Sequence, residues 1–134
     1  MRLLNKKTLT TAKPKGILES AIQTNFFNAL YYYPNLRSIT FAIPNGGSRN
    51  IIEAKNLKAQ GVTPGVPDVF MALPSHGYSG LFIEFKSEKG RLSPAQNTYI
   101  KKLNDNGYMA VVCYSLEQAL DAMKSYLTGR LQRV

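Results

Sequence analysis

Cysteine and histidine are almost missing from this 134-residue chain; Cys113 and His76 stand alone. A single cysteine cannot close a disulfide within the chain, and the pair cannot complete a Cys/His zinc site. Cys113 falls in an apolar run, where a buried small hydrophobe is expected. A Ser-His-Asp hydrolase would depend on His76, which lies in a turn, so that chemistry is set aside. No stretch approaches the ~20 apolar residues of a membrane span. Residues 1–15 are basic but lack the apolar core of a signal peptide. The expectation is a cytoplasmic protein with no membrane partner and no small-molecule cofactor. Repeats and low-complexity linkers are also absent.

Acids are scarce too. Eight Asp and Glu face 17 Lys and Arg, a formal charge of +9. A small, strongly basic protein meets a polyanion, with nucleic acid the first candidate. Of the few acids, Glu19, Asp68 and Glu84 lie among apolar residues, where a basic protein would place carboxylates for a metal. The length and an apolar content of 44% suit one domain. We expect a basic arm over 1–14, a single domain over 15–128 and a basic tail over 129–134.

The stretch from Gly65 to Lys86 organises the rest. Val69–Leu73 and Leu81–Phe85 are short apolar runs bounded by Pro and Gly, which reads as two strands. Turn-formers between them make a hairpin the simplest link. Alternation gives Val69, Met71, Leu73, Leu81, Ile83 and Phe85 a dry face. The other face carries Asp68, Phe70 and Ala72, with Phe82, Glu84 and Lys86 opposite. The charged trio meets only if even-numbered residues pair with even, through a loop of five or seven residues or a bulge. Met in that way, the trio suits phosphodiester hydrolysis. Asp68 and Glu84 are hard oxygen ligands for a cation such as Mg²⁺, with the Phe85 backbone carbonyl as a third. Lys86 would orient the attacking water or handle its proton. The plainer alternative is that Asp68 caps a turn after Pro67 and that Glu84 and Lys86 form an ordinary surface pair.

Around this stretch a helix is expected over 15–33, with Leu18, Ile22, Phe26, Ala29 and Tyr33 as its stripe. One of Tyr31, Tyr32 and Tyr33 should pack. Glu19 borders the stripe, either as a further metal-shell acid or as an acid favoured by the helix dipole. A strand over 38–43 leads to the turn PNGGSRN, where Asn45 and Arg49 suit a phosphate. A helix over 51–60 turns Ile51, Ala54 and Leu57 or Lys58 inward and leaves Lys55 and Lys58 for solvent or DNA. Lys89 and Arg91 occupy a charged loop after Lys86. Ser93-Pro94-Ala95-Gln96 opens the next helix with a capping box, unless Gln96 faces the sheet near Lys86 instead. An apolar strand over 108–114, expected in the sheet interior, precedes a helix capped by Ser115. Its apolar positions are Leu116, Ala119, Leu120, Met123 and Leu127. The result is an α/β fold with a mixed sheet of about four strands flanked by helices, its last βαβ step parallel.

These residues resemble the PD-(D/E)xK nuclease superfamily, and within it the VRR-NUC branch of virus-type replication-repair nucleases. The resemblance rests on PNGGSRN, the Lys-rich helix ending at Gly61, GVPDVF, IEFKSEKGRLSPAQ and the final strand and helix, over roughly residues 16–127. It implies a restriction-endonuclease-like core and Mg²⁺ or Mn²⁺ as cofactor. It also implies Asp68 and Glu84 as ligands, Lys86 as catalytic lysine, Glu19 as the first-helix acid and Gln96 as a supporting glutamine. The chain's size is similar to stand-alone phage and prophage members, which resemble Holliday-junction resolvases and act as homodimers. The expectation is a metal-dependent endonuclease for branched DNA such as a four-way junction. A flap nuclease or exonuclease of the same class and a non-cleaving nucleic-acid-binding module are the alternatives.

Overall fold

A computed structural model of the chain describes residues 17–44 and 50–130. The arm over 1–14, Asn45, Arg49 and the last four residues of the basic tail lie outside them. Helix α1, Glu19–Ala29, is followed by a 3-10 turn, Leu30–Tyr32, and a short helix α2, Pro34–Arg37. Strand β1, Thr40–Ala42, leads to α3, Ile51–Ala59. Then come β2, Val69–Met71, and β3, Leu81–Phe85. Helix α4, Pro94–Asp105, strand β4, Met109–Cys113, and helix α5, Leu116–Thr128, complete the chain.

The four strands form one mixed sheet in the order β1-β2-β3-β4. The first three alternate antiparallel, and β4 runs parallel to β3 after the α4 crossover. Val69, Met71, Leu81, Ile83 and Phe85 are fully buried on one face, as the alternation requires. Helices α1 and α5 cover that face. Ile22 and Phe26 of α1, with Leu30 just after it, recur every fourth residue and reach the core. Phe26 meets the Phe85 ring at 5.7 Å. From α5 come Ala119, Ala122, Met123 and Tyr126. Each fully buried large side chain contributes roughly 1.5–3 kcal/mol.

Several expectations are corrected. The α1 stripe closes on Leu30, and Tyr31, Tyr32 and Tyr33 are exposed, as is Leu18 at the other end. Pro34 does not merely stop a helix; it sits in the first turn of α2, where its missing N–H costs nothing. Helix α3 buries no residue, and Ile51 and Ile52 are 75% and 73% exposed, so Ile51 and Ala54 do not face inward. Strand β4 is an edge strand, not an interior one. Its unbroken apolar character comes from helices on both faces, α4 on one and α5 on the other. Its outer edge is partly closed by Asn104: the side-chain Oδ1 accepts from the Ala110 N–H at 2.9 Å, and Nδ2 donates to the Ala110 carbonyl. The buried face of α5 is turned toward Ala122 and Tyr126, leaving Leu116, Leu120 and Leu127 at its margin.

Candidate active site

The hairpin register decides the site. Val69 pairs with Ile83 and Met71 with Leu81, so even residues lie opposite even. The connection is residues 72–80, longer than expected but odd in number, which preserves that parity. One further step sets Asp68 opposite Glu84, and the next sets Pro67 opposite Phe85. In β3 the odd residues turn their backbone groups toward β2. At Phe85 that ladder is broken by chemistry. Its N–H donates instead to Asp68 Oδ2 at 2.7 Å. Its carbonyl faces Pro67, which has no N–H to give. Asp68 is thereby held beside the strand, and the Phe85 carbonyl is left free of the ladder.

Glu84 is 2% exposed on the same face. Its Oε2 accepts from Gln96 Nε2 at 3.4 Å, and its buried Oε1 has no hydrogen-bond partner. Burial, then the charge and hydrogen bond of Asp68, raise its carboxyl from 4.5 to about 8. Lys86 opposes that shift and Glu19 adds to it. Buried beside a second acid, Glu84 is held away from the charge state it prefers in water.

Gln96 performs both of its expected roles at once. Its Oε1 accepts from the Ser93 N–H at 2.9 Å in the capping box, and its Nε2 reaches Glu84. Lys86 is half-buried on the same face, and among the described residues it forms no ion pair with either acid. Glu19 stands further off; its Oε1 accepts from the Ser87 N–H at 3.4 Å. Among the described residues no three His, Cys, Asp or Glu side chains gather as a metal site. A Mg²⁺-type ion does not require three, because it keeps several waters and takes one or two carboxylates. Asp68, Glu84 and the Phe85 carbonyl fit that demand: two hard oxygen acids side by side, an unpartnered Oε1 and an oxygen with no ladder donor.

The surroundings are basic. Lys89 and Arg91 are exposed in the loop after Lys86 and line one groove with Asn97 and Tyr114. Lys55 and Lys58 are exposed on α3. Cys113 is buried, and burial pushes its thiol up to about 12, which keeps it inert.

The VRR-NUC domain model matches residues 17–117 of the chain. The chain belongs to the VRR-NUC family. A solved structure described as a VRR_NUC domain protein is 26% identical, with a TM-score of 0.72 over 85% of this chain and 91% of that one. No curated protein matches. VRR-NUC is a nuclease-type domain, so the chain carries a nuclease-type core. Two residues of that core escape the reading from sequence. Pro67 frees the Phe85 carbonyl, a role visible only once the register is known. Gly65 has φ +89°, and a Cβ there would overlap the Ala95 carbonyl. The loop before Asp68 therefore lies directly on the start of α4, next to Gln96. Its signal in the sequence was a glycine two residues before Pro67.

Proposed function

We propose that the chain is a metal-dependent endonuclease that hydrolyses phosphodiester bonds in branched DNA, acting as a homodimer with two sites that cut symmetric strands. The observation that carries the reading is the buried Glu84 beside Asp68, with its Oε1 unpartnered. Asp68, Glu84 and the Phe85 carbonyl would hold Mg²⁺ or Mn²⁺. Such a cation, when bound, supplies positive charge to the phosphate and lowers the pKa of the attacking water. Lys86, free of the acids, aligns that water and accepts or relays its proton. Gln96 fixes the carboxylate of Glu84 from the end of α4. Glu19 contributes negative charge near Glu84 rather than a direct ligand. Lys55, Lys58, Lys89 and Arg91 draw the DNA backbone, helped by Asn45 and Arg49 and by the net charge of +9. The setting is the cytoplasm of a bacterial cell, with the protein encoded by a phage or prophage.

The test is cleavage of a labelled four-way junction beside linear duplex, flap and single-stranded DNA, with Mg²⁺, Mn²⁺ or EDTA. Paired, symmetric, metal-dependent nicks in the junction are expected. Cutting at flaps or ends alone would remove the junction role and keep the site. No cutting with either metal would leave a binding module.

A further inference from the structure

The sheet face that carries Asp68, Glu84 and Lys86 continues past the acids. One rung along the strands, Phe41 lies opposite Phe70, and Phe70 opposite Phe82. Each is two residues from Ile43, Asp68 or Glu84, so it points to the same side. The Phe70 and Phe82 rings stack at 4.3 Å with 29° between their planes. Phe41 meets Phe70 edge-on at 5.7 Å, and Tyr108 closes the other end at 5.5 Å from Phe82. Gly80 makes room, since a Cβ there would run into the Phe70 ring. Helices α1 and α5 cover the opposite face, and α4 lies over β4. Helix α4 runs from Gln96 at Glu84 to Asn104 at Ala110, the partner of Phe82, so it borders the Phe82 end of the row, and the row opens to water at Phe41. Phe41 is 51% exposed, and the other three rings are half-buried.

An aromatic row that opens to water at Phe41, in a chain of charge +9, is an unusual use of apolar surface. It lies about 7 Å from the acids along the strands. That is the span of about two nucleotides at ~3.4 Å each along one strand. At the β1 edge Phe41 also borders a groove built against α1, where the Arg37 guanidinium sits 5.0 Å over the Phe27 ring and donates to the Thr40 carbonyl. Paired bases hide their faces in the duplex; unpaired bases offer them to aromatic side chains.

We propose that the Phe41–Phe70–Phe82 row stacks unpaired bases next to the phosphate held at Asp68 and Glu84. The row would then favour DNA whose bases are unpaired beside the cut over a closed duplex. This rests on the nuclease reading but is tested apart from it.

The experiment is binding of the full chain in EDTA, so that nothing is cut. One probe is a single-stranded oligonucleotide carrying 2-aminopurine, and the other is a blunt duplex of the same sequence. The fluorescence of the single-stranded probe should be quenched on binding. In Phe41→Ala the ratio of single-strand to duplex affinity should fall roughly ten-fold, and Phe41→Trp should restore it. Phe41 is the most exposed ring of the row, so neither change threatens the core; Phe70→Leu, which keeps apolar contact with Phe82, should lower the ratio as well. An unchanged ratio in both Phe41→Ala and Phe70→Leu, no quenching, or no binding of the single strand would overturn the proposal. Cleavage with Mg²⁺ is scored separately. A protein that cuts while the ratio stays fixed keeps the nuclease and loses the platform. A protein that never cuts but shows the ten-fold fall keeps the platform alone.

Discussion

Glu84→Gln should make the metal-free protein more stable, and increasingly so as pH rises. In the folded chain the Glu84 carboxyl holds its proton up to about pH 8, against 4.5 as its ordinary value. Between those values the native state keeps a proton that the unfolded chain releases. Stability contributed by the protonated acid is therefore full below 4.5 and lost as pH climbs toward 8. At about 1.4 kcal/mol per pH unit, the whole window is worth at most about 5 kcal/mol. Glutamine matches the protonated acid in shape and does not titrate. Urea unfolding of wild type and variant in EDTA at pH 5, 6, 7 and 8 would measure the gap. It should widen by up to about 1.4 kcal/mol per unit, reaching 10 °C or more in Tm by roughly pH 8. Adding Mn²⁺ at pH 8 should raise the wild type, by about 2.7 kcal/mol at a hundred times Kd, and leave the variant nearly unmoved. Parallel pH curves for the two proteins would refute the reasoning, because Glu84 would then carry no perturbed proton.

Lys86→Ala should cost roughly 10²–10⁴ in cleavage rate while folding and DNA binding persist; full activity in a junction-cutting assay would remove Lys86 from the mechanism. Pro67→Ala supplies an N–H opposite the Phe85 carbonyl, so the ladder should extend by one bond and Mn²⁺ affinity, read by calorimetry, should fall. Gly65→Ala must adopt φ +89° against the Ala95 carbonyl; roughly 1–3 kcal/mol should be lost in denaturant unfolding, with cleavage reduced in step. Gln96→Glu keeps the capping oxygen but sets a third carboxylate against Glu84, so helix stability should hold while metal-free stability falls at high pH, whereas Gln96→Ala should lose about 1 kcal/mol at every pH.

The two strands and their faces were legible because the Gly/Pro boundaries and strict alternation mark them, while the register stayed conditional on an odd-numbered loop, which the connection over 72–80 supplies. The same information placed Glu84 and Lys86 on one side and Phe85 on the other. Other features were not legible, for definite reasons. Ile51 and Ile52 are adjacent on a helix, so spacing cannot say whether either is covered, and among the described residues both are exposed. An apolar run such as Met109–Cys113 reports helices on both faces and says nothing about whether the strand has one neighbour or two. Pro34 ends one helical turn and begins another, and only the second role needs the structure to be seen.

Gln96 shows why the alternatives at this site were false choices. A capping box and a contact with the acid looked exclusive because each seemed to need the whole side chain. An amide has two ends, and α4 begins at the level of Glu84, so the oxygen closes the helix while the nitrogen reaches the carboxylate. Local helix chemistry thereby fixes a residue that acts on the site, and Gly65 lets the loop carrying Asp68 lie against the same turn. Three segments distant in sequence converge on the buried Glu84, which the metal-free fold tolerates by keeping a proton on it. That cost is expected of a site arranged for a cation rather than for the stability of the empty protein.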